Sequence, residues 1–364
     1  MRRVVLNVHG AGYNAAALAG REGAVAVKWR ILGGAVALAA AGWSGWWFIG
    51  AAAHDAALRG WLADRRADGW QAEIAGLETQ GFPNRFDTRL TGLALADPGA
   101  GWAWSAPFLD IVMLSYAPNR AIVAFAPEQT LAVPGAQAGL RSEGLRASVR
   151  FAPGPSLALT RASLEGSALA LEGRGWRAAA QSLNAHVLES DPATAPADSY
   201  DVYFAAEGVA PSRDLRDLID PAGALPDLAQ ALRLDARLAL DRPLDRFAVE
   251  DAAPQITALS LTAFEAQWGA LSLRASGLLR ADAEGYAEGE IAVQARNWRE
   301  MLRAGVAAGA LSADLGAALE TALSLVAMLG GDQNAIAAPL RFSGGYARLG
   351  PVPVGRAPRL RDPR

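Results

Sequence analysis

The chain has 364 residues and a formal net charge of -3, so it lacks the basic surface that nucleic acid requires and no nucleic-acid partner is expected. It contains no cysteine, which removes disulfides, thiol catalysis, thiolate metal sites and iron–sulfur clusters. Lys28 is the one lysine among the 34 basic residues, which together with the abundant alanine reads as the codon bias of a GC-rich genome.

Residues 1–30 carry no periodic apolar pattern and read as a short cytoplasmic tail, or as a start assigned too early. Next comes Ile31 to Ala53, ILGGAVALAAAGWSGWWFIGAAA, without one charge. About 20 apolar residues cross the hydrocarbon core of a bilayer as a helix, so 31–53 is expected to be a transmembrane helix. Arg2, Arg3, Arg21, Lys28 and Arg30 precede it against a single Glu22. That asymmetry holds the N-terminus in the cytoplasm and sends the rest across. The expected location is the inner membrane, single-pass, with the bulk of the chain periplasmic. Ile31 and Phe48 belong to the anchor. Trp43, Trp46 and Trp47 lie toward its outer end, where indole rings favour the headgroup level. The competing reading is a cleaved secretory signal, whose apolar region is shorter, about 7–15 residues. Asp55 to Gly69 carries Leu58, Trp61 and Leu62 at helical spacing, a short helix leading away from the membrane.

Beyond Trp70 the period changes to two. Leu145, Ala147, Val149 and Phe151 alternate with Arg146, Ser148 and Arg150, as in a strand with one buried face. The pattern returns at Leu232, Leu234, Ala236, Leu238 and Leu240, at Leu271, Leu273 and Ala275, and at Ile291, Val293 and Ala295. Turn signals separate these runs: Asp97-Pro98-Gly99, Pro153-Gly154-Pro155, Glu284-Gly285 and Gly344-Gly345. Helical patterns cover Ser212–Ile219, Trp298–Val306 and Ser312–Met328, the last capped by Ser312 and ended by Gly330-Gly331. The polar loop DPATAPADS around 190–199 reads as a boundary between a first β-rich half, 54–190, and a second with helices, 200–350. Residues 351–364 read as an extended tail. The fold class is mainly β: the anchor helix, then a large curved antiparallel sheet, taco-like or an open barrel, with a few short helices.

Several motifs occur in a fixed order: Gly81-Phe82-Pro83 with Arg85, Trp102-Ala103-Trp104-Ser105-Ala106-Pro107, Tyr116-Ala117-Pro118-Asn119, Tyr200-Asp201-Val202-Tyr203, Trp268-Gly269, Asn297-Trp298 and Leu349-Gly350-Pro351-Val352-Pro353. Over residues 31 to 360 the chain resembles the bacterial envelope family catalogued as domain of unknown function 2125. That resemblance implies an envelope location and carries over no activity and no site residues. More distantly, the run from Trp268 to Trp298 is similar to AsmA-like envelope proteins. Those combine an N-terminal anchor with a curved β-groove implicated in moving lipid; the likeness is one of architecture.

Chemistry is sparse. His186 is the one histidine within the sheet region, and no G-x-S-x-G elbow accompanies it. Asp214, Asp217 and Asp220 at helical spacing fit a solvated face better than a calcium loop. No phosphate-cradling loop is present, no metal and no cofactor is expected, and the chain is not expected to be an enzyme. The apolar strand faces are the candidate site: Phe82, Trp102, Trp104, Leu145, Val149, Phe151, Leu234, Leu238, Leu271 and Leu273 as the wall of a groove for lipid or another amphiphile. The alternative is a structural or adaptor protein whose sheet closes on its own core, with the rings of Phe82, Trp102, Trp104, Phe108 and Tyr116 filling volume. The ligand and any protein partner are not named by the sequence.

Overall fold

The computed structural model describes residues 15–362, except 221, 222, 224, 251, 252, 308 and 310. The side chains of 15–31, 215, 218, 219, 249 and 250 also lie outside the described residues, Ile31 of the anchor among them. The expected tail falls partly outside as well, since residues 1–14 are not described.

One helix, α1, runs from Ala15 to Ala67. It joins part of the expected tail, the apolar run and the expected short helix into a single rod, so helix does not end where hydrophobicity ends. Among the described residues the first glycine with a positive φ is Gly69, at 89°, which turns the chain into the sheet. Leu32 to Gly42 are exposed on all sides. From Trp43 onward the helix lies against protein.

Seventeen strands form one sheet. The first seven are β1 (Gln71–Glu73), β2 (Gly76–Gln80), β3 (Arg85–Asp97), β4 (Trp102–Leu114), β5 (Ala117–Phe125), β6 (Glu128–Val133) and β7 (Ala136–Phe151). Next come β8 (Leu159–Gly173), β9 (Trp176–Glu189), β10 (Ser199–Val209), β11 (Ala229–Leu240), β12 (Ile256–Trp268) and β13 (Leu271–Ala281). The last are β14 (Ala287–Arg296), β15 (Ala335–Ser343), β16 (Tyr346–Leu349) and β17 (Val352–Arg356). All pairings are antiparallel and nearly all join neighbours in sequence. The exceptions sit near the N-terminal edge. There β1 and β2 lie end to end along β3, and β5 and β6 lie end to end between β4 and β7. The result is mainly β, as the alternation predicts.

One expectation needs correction. The loop at 190–199 is no break: β9 and β10 pair across it from Glu189↔Tyr200 to Ser182↔Glu207, because Ser190 N–H closes the hairpin on the Ser199 carbonyl at 2.8 Å. Hydrogen bonding therefore continues between the two expected halves. The last residues, expected as an extended tail, are extended and tied to the sheet. Val352–Arg356 is a strand on β16, and Leu360 N–H then donates to the Gly285 carbonyl at 2.9 Å.

Four shorter helices follow α1: α2 (Arg213–Ile219), α3 (Phe247–Glu250), α4 (Trp298–Ala307) and α5 (Ala313–Leu329). The Ser312 hydroxyl caps α5 by accepting from Leu315 N–H at 3.2 Å. Leu319, Leu323 and Ala327 of α5 bury themselves with Trp298 against Ala295, Ile336 and Ala338 of the sheet. A second buried cluster, around Leu279, Ile291 and Phe342, packs the C-terminal strands with Ala357. The third is small and lies at the other end, where Trp47 and Ala51 of α1 meet Phe86.

Helix α1 also covers one edge of the sheet. Three indoles near its outer end donate to backbone carbonyls: Trp43 to Pro83 at 2.9 Å, Trp46 to Ser115 at 3.2 Å and Trp47 to Arg85 at 2.7 Å. Further on, Trp61 meets Trp70 and Trp70 meets Trp102, both edge-to-face, and Arg66 donates to the Ala72 carbonyl at 2.6 Å. The helix thus runs from the start of β3 to its end.

Candidate functional site: an apolar lane across the sheet

Residues paired across an antiparallel ladder share a face, so the register traces each face strand by strand. One row reads Phe86, Met113, Ala121, Val149, Ala162, Val187, Val202, Ala236, Leu261, Gly277, Ile291, Leu340, Leu349 and Val352. It crosses from β3 to β17 without a polar side chain. At about 4.8 Å per strand the row is on the order of 60 Å long, measured along the sheet. The next row holds Ile111, Val123, Ala147, Leu164, Ala185, Phe204, Leu234, Phe264, Ala275, Val293 and Ala338.

The two ends of this face are covered and the middle is not. Helices α4 and α5 bury it near β14 and β15, and α1 buries it near β3. In the second row every member from Val123 to Val293 is only half-buried. At the edge of α4 the lane deepens into a cavity of about 430 Å³ lined by Leu232, Ala266, Trp268, Leu271, Leu273 and Met301. Its wall is apolar almost throughout, and it is open to solvent on one side.

The opposite face is ionic. Arg89 pairs with Asp110 at 2.6 Å, Arg146 with Glu165 at 2.7 Å, Arg237 with Asp201 at 2.6 Å, and Arg341 with Glu290 at 2.7 Å. Hydrogen bonding from Arg237 holds the Asp201 carboxyl below its ordinary range, against a small opposing effect of burial. Pairs this exposed contribute little stability each, about 0–1 kcal/mol. They keep the outer face wetted and fix the register, because a one-residue slip would carry every charge to the apolar side.

The structure distributes the sequence candidates over three places. Val149, Leu234 and Leu238 lie on the inner face, and Leu271 and Leu273 line the cavity. Leu145 is buried, with its Cδ1 pressed over Gly166; Phe151 ends β7 beyond a register shift. Phe82, Trp102 and Trp104 do not join the lane. Phe82 stacks on Phe48 of α1 at 5.8 Å, Trp102 meets Trp70 at 5.1 Å, and Trp104 donates to the Gln129 Oε1 at 2.9 Å. These rings fasten the helix and the first strands. Sequence reasoning passed over Phe204 and Phe264 and used Trp268 only as part of a motif; the register sets Phe204 and Phe264 on either side of Leu234, and Trp268 opposite Leu271. His186 lies on the outer face opposite Ser163. The Ser163 hydroxyl is bonded to that of Ser148 at 2.7 Å, and the imidazole stacks on Tyr203 with its Nδ1 buried and unpartnered.

Together these features define a class: an apolar N-terminal helix, docked as a rod along one edge of a large antiparallel sheet with an apolar inner face and an ionic outer one. The model of the family "Uncharacterized protein conserved in bacteria (DUF2125)" matches residues 47–358, and the chain belongs to that family. No curated protein and no solved structure matches it.

Proposed function

We propose that the protein is a non-enzymatic amphiphile-binding protein of the bacterial envelope. It is anchored in the inner membrane by α1, with its N-terminus in the cytoplasm and its sheet in the periplasm. The observation that carries this reading is the half-buried middle of the apolar lane. A sheet with one apolar face must cover that face with something, and here the buried helix–sheet clusters lie at the ends. An occupant with a long apolar portion, such as a lipid acyl chain, matches a lane that is narrow, long and apolar.

The helix supports an anchor over a cleaved signal. Cleavage ahead of His54 would remove Trp47 and Ala51, which close the cluster around Phe86. The excess of Arg and Lys before Ile31 supports the orientation.

Depth follows from length. From Arg30 to Trp43 the helix rises only about 20 Å, at 1.5 Å per residue, whereas the hydrocarbon core is about 30 Å thick. Pro83, bonded to Trp43 at the base of the sheet, therefore falls about 10 Å short of the outer boundary of that core, and the base dips into the outer leaflet. The exposed side chains at that level suit it: Phe48 (62 %), Ile49 (70 %), Phe82 (52 %) and Tyr116 (63 %).

The test is to extract the full-length protein in mild detergent and identify bound lipid by mass spectrometry. Lipid is expected at or above equimolar amounts, and Ala266→Trp, which fills the cavity, should reduce it severalfold. Wild-type protein carrying no more lipid than a single-pass control of the same extraction would overturn the reading.

A further inference from the structure

Three outer-face arginines in successive paired strands stand opposite one another rather than opposite carboxylates. Arg120 of β5 stands opposite Arg150 of β7, and Arg150 stands opposite Arg161 of β8. None of these guanidinium groups makes an ion pair or a hydrogen bond among the described residues, and all three side chains are exposed. Acidic groups of the same face in β4 and β10 are already engaged, Asp110 by Arg89 and Asp201 by Arg237. Beyond Arg161 the row continues with Leu188, 44 % exposed, before it reaches Asp201.

Like charges directly opposite one another in a sheet are destabilising. One glutamate in place of the middle arginine would relieve the repulsion, as Glu165 does for Arg146 four residues along. The three arginines instead border a cleft of about 530 Å³. Ser148, Ser163 and His186 form part of its wall, with Val112 and Ile122 beside them. The serine hydroxyls are bonded to each other, and the His186 Nδ1 has no partner. Guanidinium groups present planar, fixed donors that match phosphate oxygens two at a time. We propose that this cleft binds a phosphate-bearing anion.

Position selects the source of the phosphate. Arg120 is four residues up β5 from Tyr116, about 13 Å at 3.3 Å per residue. Tyr116 follows Ser115, whose carbonyl receives the Trp46 indole of α1. The arginine row therefore stands just above the level at which the helix leaves the bilayer, within the reach of a long side chain toward the headgroups. The favoured occupant is the headgroup phosphate of an anionic phospholipid from the surrounding leaflet. This choice of source rests on the reading of α1 as a membrane anchor; the phosphate site itself does not.

The experiment uses the full chain in a neutral detergent, delipidated, with native mass spectrometry as the readout. Phosphatidylglycerol, phosphatidylcholine and inorganic phosphate are added in separate arms. The expected result is at least a tenfold preference for phosphatidylglycerol over phosphatidylcholine. Arg120→Gln, Arg150→Gln and Arg161→Gln combined should abolish that preference, while Arg174→Gln, in the turn between β8 and β9, should leave it intact. The triple variant should also melt no lower than wild type, since it relieves repulsion; a folded variant without the preference separates binding from stability. Inorganic phosphate that binds only when the arginines are present, without any lipid preference, supports the site and overturns the lipid source. Absence of both preferences in wild type overturns the proposal. Ala266→Trp lies on the other face, so lipid lost there with the preference retained counts only against the lane.

Discussion

Trp47 is the residue through which the helix is locked to the sheet, and its removal is the most informative perturbation of the fold. It is 6 % exposed. Its ring lies 5.5 Å from that of Phe82 and 6.0 Å from that of Phe86, and its indole N–H donates to the Arg85 carbonyl at 2.7 Å. Truncating a buried Trp to Ala costs roughly 3–5 kcal/mol, while a net hydrogen bond is worth about 1 kcal/mol. Trp47→Ala should therefore weaken docking by about 4 kcal/mol, and Trp47→Phe, which keeps an aromatic ring, by about 1 kcal/mol. The loss falls on the helix–sheet contact rather than on the strand ladders, so it is best read locally. Amide hydrogen exchange of residues 81–86 in the detergent-solubilised protein should quicken by two to three orders of magnitude in Trp47→Ala, at about 1.4 kcal/mol per factor of ten. Trp47→Phe should quicken it less than tenfold. Unchanged protection in Trp47→Ala would show that the sheet holds its β2–β3 turn without the helix. An equal effect of both variants would place the energy in the hydrogen bond instead.

Three further outcomes are expected. Burial lowers the pKa of His54 below its ordinary value of 6.5, with Asp55 pulling weakly the other way. The unfolded chain then takes up the proton first, so stability is full above about pH 6.5 and declines as pH falls toward the folded pKa. Thermal unfolding between about pH 7.5 and 5.5 should show this decline in wild type, and His54→Gln should flatten it. In Gly285→Ala the new Cβ would meet the Arg361 carbonyl oxygen, and the residue already holds a φ of 85°. It should cost 2 kcal/mol or more, with Leu360 and Arg361 released to proteolysis. For the depth of the base, nitroxide labels at Phe82→Cys and Tyr116→Cys in reconstituted bilayers should be shielded from water-soluble quenchers. Labels as accessible there as one at Arg174→Cys would refute the immersion of the base.

Much of the fold is legible in the sequence because the two strongest periodic signals survive folding unchanged. The uncharged run around Ala35–Gly42 stays exposed, and the alternations of β7, β11, β13 and β14 become the inner and outer faces. Ser312 caps its helix as its position suggests. Other features hide because they depend on partners distant in sequence. Polar residues after Ala53 suggest that the anchor ends there, yet helical backbone tolerates them, and only the turn at Gly69 stops it. Trp43, Trp46 and Trp47 fit an interfacial belt by composition, but each indole N–H finds a carbonyl 38 to 69 residues away. Phe82 and Trp102 share the apolar character of lane residues and serve as fasteners. The lane itself is invisible in any one strand. Leu234 and Phe264 become neighbours through a register that β-bulges shift between Asp235 and Ala236.

A rod without a joint has a mechanical consequence. Under the proposed anchoring, α1 would leave the lipid and continue unbroken along β3, so the attitude of the sheet would be geared to the tilt of the spanning segment. Helices tilt to fit the thickness of the membrane around them, and here the same angle is passed on to every strand. A thicker or thinner patch of bilayer would then swing the distal cavity beside Trp268 like the end of a weathervane, and local lipid composition would become a steering input for the whole sheet.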